Sequence, residues 1–139
     1  MSADVLLDSN VLLYAISSAW DEQEKRAKAR ELLRLPGAGF STQVFAEFYD
    51  NAIRKQKPRL THSQALAILD PLRDLPVQPL TVAVVWEAFR IRERFRISYW
   101  DAAILSAAKS LGCRKVFSED LSDGQDYDGV AVVNPFRGL

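Results

Sequence analysis

Cysteine and histidine are nearly missing from this chain of 139 residues, which contains one of each. The single cysteine, Cys113, excludes an internal disulfide and is consistent with a reducing cytosol. We expect Cys113 to be a small buried apolar residue that follows a helix. A zinc site of cysteines and histidines needs several such ligands, and a mechanism with two catalytic histidines needs a second histidine. Both are therefore excluded.

Net charge and long apolar runs are also lacking. The 18 basic and 18 acidic residues give a formal charge of zero, so any surface that binds nucleic acid must be a local basic patch. No apolar stretch is long enough to cross a bilayer, and the N-terminus lacks the pattern of a secretion signal, so we expect a cytoplasmic protein. The length, with no internal repeat or linker, predicts one domain over residues 1–139.

Short apolar segments alternate with longer segments of helical periodicity along the chain. The short segments lack a regular polar alternation, which is typical of strands buried on both faces of a parallel sheet. This order predicts an α/β fold whose functional site lies beyond the carboxyl ends of the strands. The predicted strands are residues 4–8, 38–41, 77–80, 115–118 and 130–134, and the predicted helices are residues 9–18, 21–35, 42–56, 60–75, 81–95 and 99–112.

Acidic residues stand where predicted strands give way to helices or loops. Asp8 ends the first strand, and Asp101 begins the alanine-rich helix. Glu119 and Asp120 directly follow a strand, and Glu47 lies near the start of a helix. Carboxylates gathered at one edge of a sheet repel one another unless a divalent cation such as Mg²⁺ or Mn²⁺ is bound. Such an ion can activate water and stabilise the transition state of phosphodiester cleavage.

Each of these acidic residues also has a purely structural explanation. Asp8 can cap the helix that follows it, and Ser98 with Asp101 matches a capping box. Glu47 falls opposite the apolar face of its helix, where a solvated residue belongs. Acidic residues of the last loop, including Asp123, are typical of a solvated turn. Spacing alone therefore leaves both explanations open.

Four segments together resemble the PIN-domain nucleases, and among them the VapC-type toxins of bacterial toxin–antitoxin pairs. These segments are LLDSNVLLYA near the N-terminus, AEF around Glu47, SYWDAAILSAAKSLGC around Asp101 and VFSEDLSDGQDYDGVAVVNPF near the C-terminus. The resemblance implies a three-layer α/β/α sandwich with a five-stranded parallel sheet. It also implies Mg²⁺- or Mn²⁺-dependent endoribonuclease activity on an RNA substrate, a small antitoxin as partner and a homodimer.

The resemblance also implies roles for individual residues. The implied catalytic set is Asp8, Glu47, Asp101 and Asp120. Asp8 and Asp101 would be the core metal ligands, and Glu47 and Asp120 would complete the metal shell, with Asp120 counted among the ligands. The implied supporting residues are Ser9, Asn10 and Ser118.

The fourth acidic residue is the position at which the sequence fits the family pattern loosely. Neighbouring residues of a strand point to opposite faces, so only one of Glu119 and Asp120 is expected to point inward. Asp123 follows within a turn. The spacing from Ser118 in the family favours Asp120, and the alternatives Glu119 and Asp123 stay open.

Two short basic runs are candidate contacts for RNA phosphates. Arg54 and Lys55 lie in the first run, and Arg90 and Arg94 lie one helical turn apart in the second. This interpretation competes with one in which helix ends collect cations to offset the helix dipole. Arginines of the second run could also contact acidic groups on an antitoxin.

Three tryptophans are candidates for stacking on RNA bases, namely Trp20, Trp86 and Trp100. Periodicity favours a buried position for Trp86, on an apolar helix face that includes Val82 and Phe89. Trp20 lies on a polar stretch, which is typical of an interface residue.

Two other functions compete with a metal-dependent endoribonuclease. The first is a catalytically silent PIN-like module that binds RNA or protein, and the presence of all four acidic residues counts against it. The second is a phosphatase or phosphotransfer domain with Asp8 as nucleophile. The second residue after Asp8 is Asn10 rather than another acid, which counts against that function.

Overall fold

The computed structural model describes all residues from Met1 to Leu139. Six helices are present: α1 (Ser9–Ala15), α2 (Gln23–Leu32), α3 (Thr42–Arg54), α4 (His62–Leu69), α5 (Val82–Phe95) and α6 (Tyr99–Ser110). Six strands are present: β1 (Val5–Leu7), β2 (Ala38–Ser41), β3 (Val77–Gln78), β4 (Lys115–Phe117), β5 (Asp126–Tyr127) and β6 (Val130–Val133). Short 3₁₀ turns precede α2 and follow α4.

The strands form one sheet in the order β3-β2-β1-β4-β6-β5. The first five in this order pair in parallel, which confirms the predicted α/β fold with five parallel strands. The sixth strand, β5, is an addition that the sequence did not predict, and it pairs antiparallel with β6. A two-residue turn joins them, in which Asp128 and Gly129 both have positive φ angles of 56° and 93°. These angles suit a tight hairpin, and they allow a strand of only two residues to form.

Both faces of the sheet are buried. Leu6 and Leu7 are neighbours on β1, so their side chains point to opposite faces, and both are fully buried. Helix α1 packs on both α2 and α3, α3 packs on α4, and α5 packs on α6, which in turn contacts the strands. The predicted three-layer arrangement follows, because a parallel sheet needs helices on both faces.

Helix α6 is buried along most of its length. All residues from Ala102 to Ala108 are buried, and the only polar one among them, Ser106, donates its hydroxyl to the Val84 carbonyl at 2.7 Å. The many alanines allow the neighbouring helix α5 to approach closely. This burial fixes the first turn of α6, which carries Asp101, relative to the sheet.

The prediction for the buried face of α5 was wrong. Trp86 is 66% exposed, and Val82 and Phe89 are exposed with it. The buried residues of α5 are instead Val84, Ala88 and Ile91. Helix α5 carries two apolar stripes, and the one with the small alanine faces the alanine-rich α6, because small side chains permit close helix packing.

In agreement with the sequence, no helix is both long and apolar enough to span a membrane.

Candidate functional site

The sheet topology brings the residues that follow β1 and β4 together at the edge formed by the carboxyl ends of the strands. Strands β1 and β4 are neighbours, with Leu7 opposite Phe117. Asp8 therefore lies beside Ser118, and the Asp8 N–H donates to the Phe117 carbonyl at 3.1 Å. Helix α3 begins directly after β2 at the same edge, since parallel strands all end on the same side. The carboxyl ends of three adjacent strands thus frame the candidate site.

Asp8 is the most deeply buried acidic residue of this edge, with only 5% of its surface exposed. One carboxylate oxygen accepts a hydrogen bond from the Ser9 N–H at 2.7 Å, which caps α1. The other oxygen accepts the Ser118 hydroxyl at 2.7 Å. Burial raises the pKa of Asp8 to about 6; the bonds from Ser118 and Ser9 oppose this shift, and the charges of Asp120 and Asp101 add to it.

Ser118 is the centre of a small polar network that joins Asp8 to Asp120. Its hydroxyl oxygen accepts the Asp120 N–H at 3.1 Å and the Asn10 amide at 3.4 Å, while the hydroxyl donates to Asp8. The Asn10 amide also donates to an Asp120 carboxylate oxygen at 3.3 Å. The side-chain oxygen of Asn10 is buried and has no hydrogen-bond partner. Among the supporting residues, Asn10 and Ser118 thus lie in the network through their side chains, and Ser9 contributes its backbone N–H.

Tertiary contacts separate the three candidates for the fourth acidic residue. Both carboxylate oxygens of Glu119 accept the Tyr14 hydroxyl, at 2.9 and 3.0 Å, so Glu119 is turned toward α1. Asp123 accepts the Asn134 N–H and pairs with Arg137, both at 2.8 Å. Asp120 alone contacts the network around Asp8. The structure therefore groups Asp120, and neither alternative, with the other acidic residues.

Glu47 lies in the second turn of α3 and is half-buried. The Gln43 amide, one helical turn earlier, donates to its carboxylate at 3.3 Å. Burial raises the pKa of Glu47 to about 7, and the negative charges of Asp8, Asp120 and Asp101 contribute to this shift. Glu47 faces away from the apolar side of α3, and its carboxylate is therefore directed toward the other acidic residues rather than simply solvated.

Asp101 lies in the first turn of α6, where its N–H donates to the Ser98 hydroxyl at 3.1 Å. This bond is one half of the capping box suggested by the sequence. Burial raises the pKa of Asp101, the Ser98 hydroxyl lowers it, and the charge of Asp120 raises it. The charge of Asp120 thus acts on Asp101, which also lies in the first turn of α6. We refer to Asp8, Glu47, Asp101 and Asp120 as the acidic cluster.

Gln43 is a residue of this site that the sequence interpretation missed. It is buried, and its amide bridges the Glu47 carboxylate and the Trp100 carbonyl, the latter at 3.1 Å. It thereby ties α3 to the start of α6. The available signal was its spacing of four residues before Glu47, which places both side chains on the same helix face.

The family model of the PIN domain matches residues 5–122. The chain belongs to the PIN domain family. This confirms the family to which the sequence motifs pointed. No curated protein matches the chain.

Solved structures similar to this PIN domain include a toxin and a toxin–antitoxin complex. A toxin–antitoxin complex from Klebsiella pneumoniae is 19% identical, with a TM-score of 0.68 over 96% of this chain and 98% of that one. VapC20 of Mycobacterium tuberculosis, described as a sarcin–ricin loop cleaving toxin, is 17% identical, with a TM-score of 0.65 over 84% and 92%. FitAcB from Neisseria gonorrhoeae is 21% identical, with a TM-score of 0.67 over 96% and 99%. At such identities the likeness establishes the shared fold.

The acidic cluster of this PIN domain suits a hydrated divalent cation. None of its four carboxylates pairs with a lysine, arginine or histidine. No three acidic, histidine or cysteine side chains are already arranged to hold a metal. Mg²⁺ usually takes one or two carboxylates and keeps several waters, so it does not need such a closed cage. The unpartnered oxygen of Asn10 adds a neutral oxygen donor of the type that hard cations accept.

Three of the four candidate RNA-contacting residues are engaged in ion pairs. Arg90 and Arg94 both bind the carboxylate of Asp128, in the β5–β6 turn. Arg54 pairs with an aspartate one turn earlier on α3. Lys55 is exposed and forms no ion pair. A contact with RNA phosphate therefore requires the arginines to share or exchange partners, whereas Lys55 is free to make one.

Proposed function

We propose that this PIN domain is a metal-dependent endoribonuclease that hydrolyses RNA phosphodiester bonds with Mg²⁺ or Mn²⁺. The observation that carries the proposal is the acidic cluster, in which four carboxylates approach one another without any cationic side chain. Burial raises the pKa values of Asp8, Glu47 and Asp101, and the repulsion between the carboxylates adds to this shift. A protein retains such an arrangement at a cost in stability, which a bound divalent cation offsets.

We propose that Asp8, Asp101 and Asp120 would hold the ion, partly through its bound waters, since no three side chains are arranged to bind it directly. When bound, it lowers the pKa of a water molecule and neutralises negative charge that develops on the phosphodiester. The chain keeps these carboxylates oriented by itself. Ser118 binds Asp8 while accepting the Asp120 N–H, so a single hydroxyl fixes the separation of two strand ends. Asn10 holds the Asp120 carboxylate from the other side.

Glu47 is the residue best suited to proton transfer in this site. Asp8, Asp101 and Asp120 would hold the ion, which leaves the Glu47 carboxylate, directed toward them from α3, available to exchange a proton. The Gln43 amide orients its carboxylate. We propose that Glu47 accepts a proton from the attacking water or returns one to the leaving oxygen.

The decisive experiment compares cleavage of single-stranded RNA by the wild type and by Asp8→Asn, with Mn²⁺ and with EDTA. We expect cleavage only by the wild type and only with Mn²⁺. Asp123→Asn, purified in parallel, is the matched control, because Asp123 lies near the site in sequence but pairs with Arg137. Equal cleavage by wild type and Asp8→Asn would refute the proposal. RNA binding without cleavage would instead favour the catalytically silent module.

We further propose that the protein is the toxin of a cytoplasmic toxin–antitoxin pair, with a cognate small antitoxin and a homodimeric state. One similar solved structure is described as a toxin–antitoxin complex, and two others, FitAB and VapBC from Salmonella typhimurium, are described as bound to DNA. The test is whether a small reading frame lies directly beside the gene and whether its product co-purifies with this chain and inhibits it. Sedimentation of the purified chain measures the dimer.

A further inference from the structure

A cleft of about 650 Å³ lies beside the acidic cluster, between helix α3 and the start of α6. Gln43, Glu47 and Asp50 line it from α3, Leu80 lines it from the segment before α5, and Trp100 lines it from α6. This volume lies within the range of about 300–1,000 Å³ that is typical of small-molecule sites. The mechanism proposed above uses Glu47 and Gln43 of this lining but assigns no ligand to the cleft.

The cleft shares a wall with the acidic cluster. Glu47 belongs to both, and Trp100 immediately precedes Asp101 on α6. The Gln43 amide connects these two sides, because it donates to the Glu47 carboxylate and to the Trp100 carbonyl. Whatever binds in the cleft therefore lies next to a phosphodiester held at the acidic cluster.

Trp100 supplies an aromatic surface that the fold itself does not cover. Its side chain is 63% exposed, and its only aromatic partner, Tyr99, meets it edge-on with ring centres 4.9 Å apart. Leu80, which also lines the cleft, is 45% exposed. An exposed indole and an aliphatic side chain in one cleft suit a flat aromatic group, which gains stacking energy and apolar burial.

The polar groups of the cleft select against phosphate. Glu47 and Asp50 are acidic, and no cationic residue lines the cleft, although Arg54 pairs with Asp50 from outside. The Gln43 amide holds the Glu47 carboxylate in this lining. The two carboxylates thus offer acceptors to a ligand, and a nucleobase with an exocyclic amino group presents the matching donors.

We propose that this cleft binds one unpaired nucleobase adjacent to the cleaved phosphodiester, stacked on Trp100, and prefers amino-bearing bases to uracil. This inference rests on the proposed function, because it names the RNA feature that the same site selects. Oligocytidylate and oligouridylate of equal length are suitable probes. Both are single-stranded pyrimidine polymers, and their bases differ in the amino group and the ring nitrogen beside it.

The experiment measures the fluorescence anisotropy of labelled oligomers in EDTA, so that no strand is cut. We expect the wild type to bind oligocytidylate roughly fivefold more tightly than oligouridylate, as one additional hydrogen bond provides. Trp100→Ala is expected to weaken oligocytidylate binding about tenfold, and Trp100→Phe to retain most of it. Leu35→Ala, which shortens an exposed apolar side chain before β2 at the opposite end of the strands, is the control and is expected to change nothing.

Equal affinities of Trp100→Ala and Leu35→Ala would overturn the stacking role and leave the cleft to a protein segment. Equal binding of the two oligomers by the wild type would overturn the preference for an amino group. Gln43→Met provides a second check, since it keeps the side-chain length but removes the amide that holds the Glu47 carboxylate, and it is expected to weaken the preference while retaining the stacking. Because binding is measured without cleavage, an inactive wild type would refute the nuclease proposal without affecting this result.

Discussion

Asp8→Asn is expected to make the metal-free protein more stable near pH 8, although it removes a proposed metal ligand. The Asp8 carboxylate is almost completely buried, and burial raises its pKa from 3.8 to about 6. A carboxyl group with a raised pKa in the folded state binds more protons when folded than when unfolded. Its contribution to stability is therefore complete below about pH 4 and is lost as the pH rises through about 6.

The size of the effect follows from the pKa shift. A change of one pKa unit corresponds to about 1.4 kcal/mol, so the wild type loses about 3 kcal/mol of unfolding free energy between about pH 4 and about pH 8 through Asp8. Asparagine does not titrate. It keeps an acceptor for the Ser9 N–H but weakens the bond with Ser118, which costs about 1 kcal/mol at any pH. The balance is a loss of about 1 kcal/mol for Asp8→Asn in acid and a gain of about 2 kcal/mol near pH 8.

Urea denaturation in EDTA, followed by circular dichroism across this pH range, measures the difference. Asp123→Asn is the control of opposite sign, because the Asn134 N–H and Arg137 lower the pKa of Asp123. Asp123→Asn removes this charge and should destabilise the protein near neutral pH, and the destabilisation should fade in acid. If Asp8→Asn is equally destabilising at both ends of the range, Asp8 acts only as a helix cap and the argument from burial is wrong.

Three further predictions test the site and its surroundings. Affinity for Mn²⁺, measured by calorimetry, should rise from about pH 5 to about pH 8, because the ion competes with protons for the acidic cluster. Tyr14→Phe should lower the unfolding free energy by about 1 kcal/mol in denaturation, since Glu119 loses its hydrogen-bond partner. Lys55→Gln should weaken RNA binding more than Arg90→Gln in a salt titration, because Arg90 is already paired with Asp128.

Local sequence signals were sufficient to predict the order of strands and helices. The apolar run before Asp8 and the polar residues after it predicted a buried strand followed by a helix, and the structure has β1 and α1 there. Strand and helix order then predicted a parallel sheet. The short strand β5 escaped prediction because it consists of two residues, and only pairing with β6 stabilises it.

Contacts between distant parts of the chain decided what local signals could not. Glu119 and Asp120 are neighbours in an acidic loop, and their chemistry is nearly the same. A tyrosine 105 residues away removes Glu119 from the site, and an asparagine 110 residues away contacts Asp120. The buried face of α5 was also decided by a tertiary contact. Either of its two apolar stripes could have been buried, and the stripe with Trp86 has the larger apolar surface. Packing on α6 favoured the stripe with Ala88.

The two interpretations of Asp8 that the sequence left open, as helix cap and as metal ligand, are compatible in the structure. One carboxylate oxygen accepts the Ser9 N–H and the other accepts the Ser118 hydroxyl. An ionised carboxylate has about four lone-pair positions, so these two bonds leave about two for a cation. The cap and the hydroxyl also hold the group in one orientation, which lowers the entropy lost when an ion binds. The residues that cap α1 and join β1 to β4 are thus the ones that prepare Asp8 for a metal.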